Sequence, residues 1–380
     1  MNKEKLEKKY HKIKKINTIL IVIIVVGLLG VLALPYAYIN KDKIGKSTVG
    51  QRMNYYRNKV NSKLNQNYEF AENYHNAAYK LNLNETTADI QATHPKVINF
   101  KEKWHGYKYY MVFSPYPYGN DKYENPHLVV SNDMINWIVP DGLKNPIEKE
   151  PLGYVHERVY NSDPHLLYND KTDTLELYYR FVNEYEKKVI IYRKVSKDGI
   201  QWSDKEVILT EDFAKNDYMS PAFIYDNGTY KMWAVGKKLN VRYLESTDGK
   251  NYSGEKTITL NYPISGLQTW HLDVIKTDKG YEMITVAYKY HKDRNSMNLY
   301  YFNSKDNVEY TKGKIILRPS LISWDNRGIY RSSFIYENNS YYVFYSALDT
   351  NFVRGIGLSY GEHIENLVGS NIKDNNLNAS

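Results

Sequence analysis

The chain of 380 residues contains no cysteine. That absence excludes disulfides, thiolate metal sites, a cysteine nucleophile and a lipoprotein attachment site, so stability must come from the packing of the fold. Between residues 91 and 367 no long stretch carries the 3.6-residue periodicity of an amphipathic helix. Evenly spread positive charge is also missing. The formal net charge is +8, yet the first fifteen residues, MNKEKLEKKYHKIKK, hold seven lysines against two glutamates. The basic excess is largely local, and a nucleic-acid partner is not expected.

Behind that head the sequence turns apolar. From Ile16 to Ile39 only Asn17 and Thr18 are clearly polar, and Ile19 to Leu34 is unbroken. A helix of roughly 20 apolar residues spans a bilayer. Lysines on its N-terminal side place residues 1–15 in the cytoplasm and everything after the anchor outside. The segment 16–39 is therefore predicted to be a single transmembrane helix in the lipid bilayer, carrying an extracellular domain. A cleaved signal peptide is the alternative, although the apolar core is long for one and Pro35 occupies the minus-three position of the nearest small-residue site, at Ala37. Residues 40–90, rich in Asn, Lys and Tyr, read as a polar stem, and 368–380 as a disordered tail.

From 91 to 367, short runs of Tyr, Val, Ile, Phe and Trp alternate with Asn, Asp, Gly and Lys turns, an all-β pattern. The 39 tyrosines suit half-buried strand faces, where the ring packs and the hydroxyl finds a polar partner. Within this region a motif recurs: serine, one residue, aspartate, then an aromatic. It occurs at Ser131, Asp133 and Trp137, at Ser196, Asp198 and Trp202, at Ser246, Asp248 and Tyr252, and at Ser304, Asp306 and Tyr310, with a worn copy starting at Ser359. Upstream of each lies a pair of strands, and the units open at His94, Asp163, Ser220, His271 and Arg331. A unit of a few antiparallel strands cannot bury its own faces, and five such units close radially. The prediction is a five-bladed β-propeller, with the repeated aspartates accepting backbone N–H bonds at hairpins as scaffold residues.

These repeats resemble the five-bladed propellers of glycoside hydrolase families 43 and 32. In those families the inner strand opens with a proline preceded by a functional residue, and a serine–aspartate–aromatic turn closes the blade. The resemblance spans roughly residues 91 to 365 and implies the fold more strongly than the reaction. It implies a carboxylate at the start of the first blade and a glutamate on the third, where this chain has His94 and Ser220. Only Asp163 keeps an acid in its slot, which marks the chain as a divergent member.

Propeller topology places the five strand starts on one face around the axis. Two residues on, by strand alternation, Lys96, His165, Ala222, Asp273 and Ser333 point the same way, and the outer loops bring Glu124 and Arg180 to that face. Glycoside cleavage needs two carboxyl groups, one protonated and one ionised. The candidates are Asp163, Glu124 and Asp273, with His94, His165, Arg180, Trp270, His271 and Arg331 as substrate-binding residues and Trp270 as a platform for a sugar ring. Each acid also has a structural reading: a turn-bonding aspartate, a rim salt bridge and a core hydrogen bond holding blade four, respectively. A metal site of His94, His165, His271 and Asp163 is conceivable, but nothing in the pattern requires axial histidines to converge, and neither metal nor other cofactor is expected. Two functions remain open: a membrane-anchored glycoside hydrolase acting on a cell-surface or secreted polysaccharide, and a non-catalytic glycan-binding or assembly protein of the cell envelope. A pure protein-interaction propeller would instead carry apolar residues on its rim.

Overall fold

Nineteen strands account for nearly all regular structure among the described residues of the computed structural model, which are 75–372 apart from 84–89, 154, 156, 216, 237–239 and 290–292. They form five antiparallel meanders. Blade one comprises β1 (Ala92–Trp104), β2 (Tyr107–Pro115) and β3 (His127–Ser131), and blade two comprises β4 (Val159–Asn169), β5 (Thr174–Asn183), β6 (Lys188–Ser196) and β7 (Glu206–Asp212). Blade three is β8 (Met219–Asp226), β9 (Thr229–Val235), β10 (Val241–Ser246) and β11 (Ser253–Ile258). Blade four is β12 (Leu267–Thr277), β13 (Gly280–Lys289), β14 (Asn298–Ser304) and β15 (Lys314–Leu317). Blade five is β16 (Gly328–Glu337), β17 (Ser340–Leu348), β18 (Arg354–Gly361) and β19 (Val368–Gly369). The inner strand β1 packs against both β4 and β16, β8 against β4 and β12, and β12 against β16, so the ring of inner strands is closed.

The core follows from that closure. There are five apolar clusters, and each fills one interface between neighbouring blades. Val112, Leu128, Leu166 and Leu177 join blades one and two, while Leu167, Ile191, Phe223 and Met232 join two and three. Trp233, Leu272 and Phe302 join three and four, Val286, Phe334 and Val343 join four and five, and Phe344, Ile356, Val97 and Phe113 join five back to one. Fully burying one such side chain contributes about 1.5–3 kcal/mol, so the fifth interface stabilises the circle as much as any other. Two buried glutamates at matching positions of second strands explain part of the tyrosine content. Glu176 accepts from Tyr178 and from Tyr230 of the next blade, and Glu282 accepts from Tyr301 and from Tyr341 of the next blade.

The repeated aspartates are hairpin scaffold. Asp198 Oδ1 accepts the N–H groups of Ile200 and Gln201, both at 2.8 Å, and the Ser196 hydroxyl at 3.0 Å. Asp133, Asp248 and Asp306 repeat the arrangement. In the worn copy, Ser359 instead donates to the His75 carbonyl. Asp198→Ala leaves two N–H groups to water at an exposed turn, so it should cost only about 1 kcal/mol. A urea titration reads this as a small fall in midpoint at unchanged slope, and a change in slope would mean the blade itself had opened.

The propeller extends beyond residues 91–367 at both ends. Ahead of it, Asn76 donates to Asp325, Ala77 N–H to the Tyr345 hydroxyl, and Leu81 N–H to the Ile356 carbonyl, while Ala77 and Leu83 are buried. Residues 75–83 therefore belong to the domain and not to a stem. Behind it, Val368–Gly369 pairs with β18 as β19, because blade five needs a fourth strand at its edge; the tail begins later than residue 368. Among the described residues no helix is long and apolar enough to cross a membrane. The head 1–15, the predicted transmembrane helix 16–39, the stem before residue 75 and the tail from 373 lie outside the described residues.

Candidate active site

Each inner strand is interrupted near its start by a register shift: between Thr93 and Lys96, Ser162 and His165, Met219 and Ala222, Thr269 and His271, and Ile329 and Ser332. An extra residue in one strand bends it and re-aims the side chains around it. In the first three blades the residue before proline takes a left-handed backbone, φ 53° at His94, 51° at Asp163 and 50° at Ser220. Such conformations cost about 1–3 kcal/mol each in non-glycine residues and persist where the surroundings enforce them.

Above these irregularities lies a cavity of about 550 Å³. His94, Glu124, Asp163, Arg180, Trp270 and His271 line it, so six of the nine expected site residues meet there. Tyr116, Asp121, Tyr160, Arg294, Tyr330 and Arg354 complete much of the wall. The offset that singles out Trp270, one residue before the axial position, also holds for Tyr330 before Arg331, and applying it to every blade finds that second aromatic. Arg354 opens β18 and Arg294 comes from the loop after β13, and neither had such a repeat signal.

The other three expected residues, Asp273, His165 and Arg331, do not line the cavity. A step of two residues along a strand is nearly 7 Å, so Lys96, His165 and Asp273 face the axis one layer deeper. There Lys96 Nζ pairs with both Asp273 oxygens at 2.8 and 3.0 Å, and Asp273 also accepts the Phe334 N–H. His165 Nε2 accepts the Phe223 N–H at 3.0 Å, and Ser333 Oγ accepts the Val97 N–H at 3.0 Å. This layer fastens blade to blade. Asp273 thus takes its core hydrogen-bonding role, and neither it nor His165 lines the cavity. Arg331 is also buried, beneath Asp163: its guanidinium donates to Asp163 Oδ1 at 3.2 Å and to the Pro221 carbonyl at 3.0 Å, so it supports the acid instead of touching a ligand.

At the cavity floor His94, Asp163 and His271 converge, each buried, with one potential ligand atom from each lying within 4.8 Å of the others. His94 Nδ1 is shared between Ser114 Oγ at 2.9 Å and Glu124 Oε1 at 3.0 Å, and its Nε2 has no hydrogen-bond partner. Neither ring nitrogen of His271 has one, although Nδ1 lies 3.6 Å from Asp163 Oδ1. Burial, reinforced by nearby arginines, holds His94 well below the usual histidine range and His271 at about 3, so both imidazoles are neutral at pH 7. Burial disfavours the Asp163 anion and imidazolium at His271 would favour it. That charge on His271, with the guanidinium of Arg331 and then His94 and Arg180, outweighs burial and holds the carboxyl below the ordinary aspartate range. Ser220 N–H donates to the other oxygen at 3.1 Å. Glu124 goes the opposite way: burial and the charges of Asp163 and Asp121 push it well above the usual glutamate range against the pull of Arg180 and the Asp163 N–H. One floor therefore carries a carboxyl held toward its anion, another pushed toward its protonated form, and two imidazoles held toward neutrality.

The fold is a five-bladed β-propeller of the kind found in glycoside hydrolase family 43. No family model matches the chain. A curated relative, the A type blood N-acetyl-α-D-galactosamine deacetylase of Flavonifractor plautii, is 30% identical over 320 residues, covering 70% of this chain and 41% of the relative. The chain thus spans about two fifths of the relative's length. Among solved structures, an N-acetylgalactosamine deacetylase from F. plautii in complex with blood group B trisaccharide superposes with a TM-score of 0.63 at 24% identity, covering 75% of this chain and 94% of that one. An α-L-arabinanase of Cellvibrio cellulosa complexed with arabinohexaose shares the fold with a TM-score of 0.52 at 13% identity, covering 72% and 92%.

Proposed function

We propose that this chain is a membrane-tethered, extracytoplasmic carbohydrate deacetylase that removes the acetyl group from an N-acetylated sugar of a surface or secreted polysaccharide. The observation that carries the reading is the buried trio His94, Asp163 and His271, whose unpartnered neutral imidazole nitrogens surround an anionic carboxylate. The activity of the F. plautii relative supports it. Tethering rests on the apolar segment 16–39 alone.

The trio fits a divalent cation. Neutral imidazole and carboxylate suit zinc and its first-row neighbours, and a ligating histidine usually has its other nitrogen engaged, as His94 Nδ1 is by Ser114 and Glu124. A cation held by these three would act as a Lewis acid on an acetyl carbonyl. The chain's own groups account for the rest. Amide hydrolysis adds water to the carbonyl carbon, breaks the C–N bond, releases acetate and delivers a proton to the departing nitrogen. Glu124 lines the cavity, and burial pushes its carboxyl toward the protonated form that would supply the proton to that nitrogen. Trp270 and Tyr330 offer ring surface to the sugar.

Glycoside hydrolysis is the second reading, favoured by one observation: Glu124 is raised while its neighbour Asp163 is lowered, the split that separates an acid from a nucleophile. A single experiment separates the two. The full-length chain in detergent micelles is incubated with N-acetylated and de-N-acetylated polysaccharides, with and without chelator, and both acetate and new reducing ends are measured. Acetate release that chelation abolishes and divalent cation restores, with no reducing ends, is the expected result. Reducing ends without acetate would overturn the deacetylase reading in favour of a glycosidase. Neither product, with polymer retained on the protein, would leave a binding protein.

A further inference from the structure

We infer that the cavity selects a glycan carrying an oxyanion, a uronate carboxylate or a phosphate ester, on the sugar it admits or on that sugar's neighbour, and that Arg354 and Arg294 recognise it. The inference deepens the proposed function, since it rests on the cavity being a glycan site.

Arg354 carries the argument. It lines the cavity from the start of β18 and is 5% exposed, yet among the described residues no carboxylate pairs with it. Its guanidinium lies 4.6 Å from the centre of the Tyr116 ring and 5.7 Å from that of Tyr330. Among the described residues its guanidinium makes one hydrogen bond, a long one of 3.4 Å to the Phe352 carbonyl, and Nε has no partner. A buried guanidinium with most of its five donors unused is costly unless something fills them.

Arg294 repeats the pattern on the facing loop. Its guanidinium lies 4.6 Å from the centre of the Trp270 ring, and no carboxylate among the described residues pairs with it. Trp270 Nε1 donates to the Tyr330 hydroxyl at 3.3 Å, so both arginines are seated on one connected aromatic wall. Stacking fixes the plane of a guanidinium while leaving its N–H edge available, which presents a fork suited to a carboxylate or phosphate.

The charge count points the same way. The cavity holds the carboxyl groups of Asp121, Glu124 and Asp163 against the guanidiniums of Arg180, Arg294 and Arg354, with Arg331 beneath Asp163. Four cations face at most three anions even with every carboxyl ionised, and a bound divalent cation adds to the excess. A neutral sugar would leave that field uncompensated.

The test is calorimetric binding to the full-length chain in detergent micelles, which needs no turnover. The probes are a tetrasaccharide alternating N-acetylglucosamine and glucuronate, a phosphodiester-linked N-acetylglucosamine oligomer of matched length, and chitotetraose as the neutral reference. Wild type should bind one acidic probe at least about tenfold more tightly than chitotetraose, and added salt should erode only that preference. Which acidic probe wins identifies the oxyanion. Arg354→Gln and Arg294→Gln should each cost the acidic probe far more affinity than chitotetraose, bringing the two probes close together; Arg294 is exposed, so its variant reads the effect without disturbing the core. Equal affinities for acidic and neutral probes, or a preference untouched by both variants, would overturn the inference. A preserved preference with no acetate released from any probe would retain this inference and remove the deacetylase reading.

Discussion

Asp163→Asn should lower acetate release by about three orders of magnitude or more while leaving most of the protein folded. The substitution keeps an oxygen for the Ser220 N–H and a side chain of the same shape on the bulge, but removes the one anion between His94 and His271. Losing a charge that orders reacting groups in a buried site commonly costs this much. Arg331 loses its carboxylate, and because it is 1% exposed its charge would be left poorly compensated, so stability should fall by about 3–5 kcal/mol. Acetate release measured below the lowered melting temperature separates the two effects. A variant that retains activity within tenfold of wild type would remove Asp163 from the reaction. A His271→Gln variant, which takes away a ring but no charge, should lose activity comparably with a much smaller change in melting temperature.

The architecture was readable because it is written five times. A turn motif that stays in phase with two upstream strands betrays the blade even at low similarity between copies, and every blade interface then follows from closure. The site was legible only as far as topology alone reaches. Strand starts converge on the axis of any propeller, so His94, Asp163 and His271 could be grouped, and Glu124 followed from the loop that returns to the same face. Depth was not legible. Alternation assigns Asp273 and His165 to the same direction as Asp163 and His271, and it is silent on the two-residue drop that puts them beneath the cavity floor. Nor does alternation anticipate the bulges, since a left-handed residue before proline leaves no compositional trace. Arg294 lies on a loop whose course no periodicity governs, and Arg354 opens β18 directly after another. The convergence of the trio tight enough for a cation was likewise a matter of ångströms that residue spacing does not encode.

Asp273 is where sequence and structure divide most sharply, and it gives the second large effect. An acid next to Trp270 and His271 reads as catalytic, whereas the buried carboxylate answers Lys96 with both oxygens and accepts the Phe334 N–H. These contacts tie blade four to blade one across the axis and to blade five beside it. Asp273→Ala leaves the Lys96 ammonium buried without its partner, and such broken pairs cost about 3–5 kcal/mol. Replacing both members, with Lys96→Met and Asp273→Leu together, removes the stranded charge, so the double variant should be more stable than Asp273→Ala alone. Urea unfolding of wild type and the two variants compares their stabilities and checks that order. Acetate release per folded molecule should remain within a few-fold of wild type in the double variant, because neither side chain lines the cavity. Activity lost in proportion to the Asp163 variant, at undiminished stability, would return Asp273 to the catalytic set and require the floor of the cavity to open during turnover.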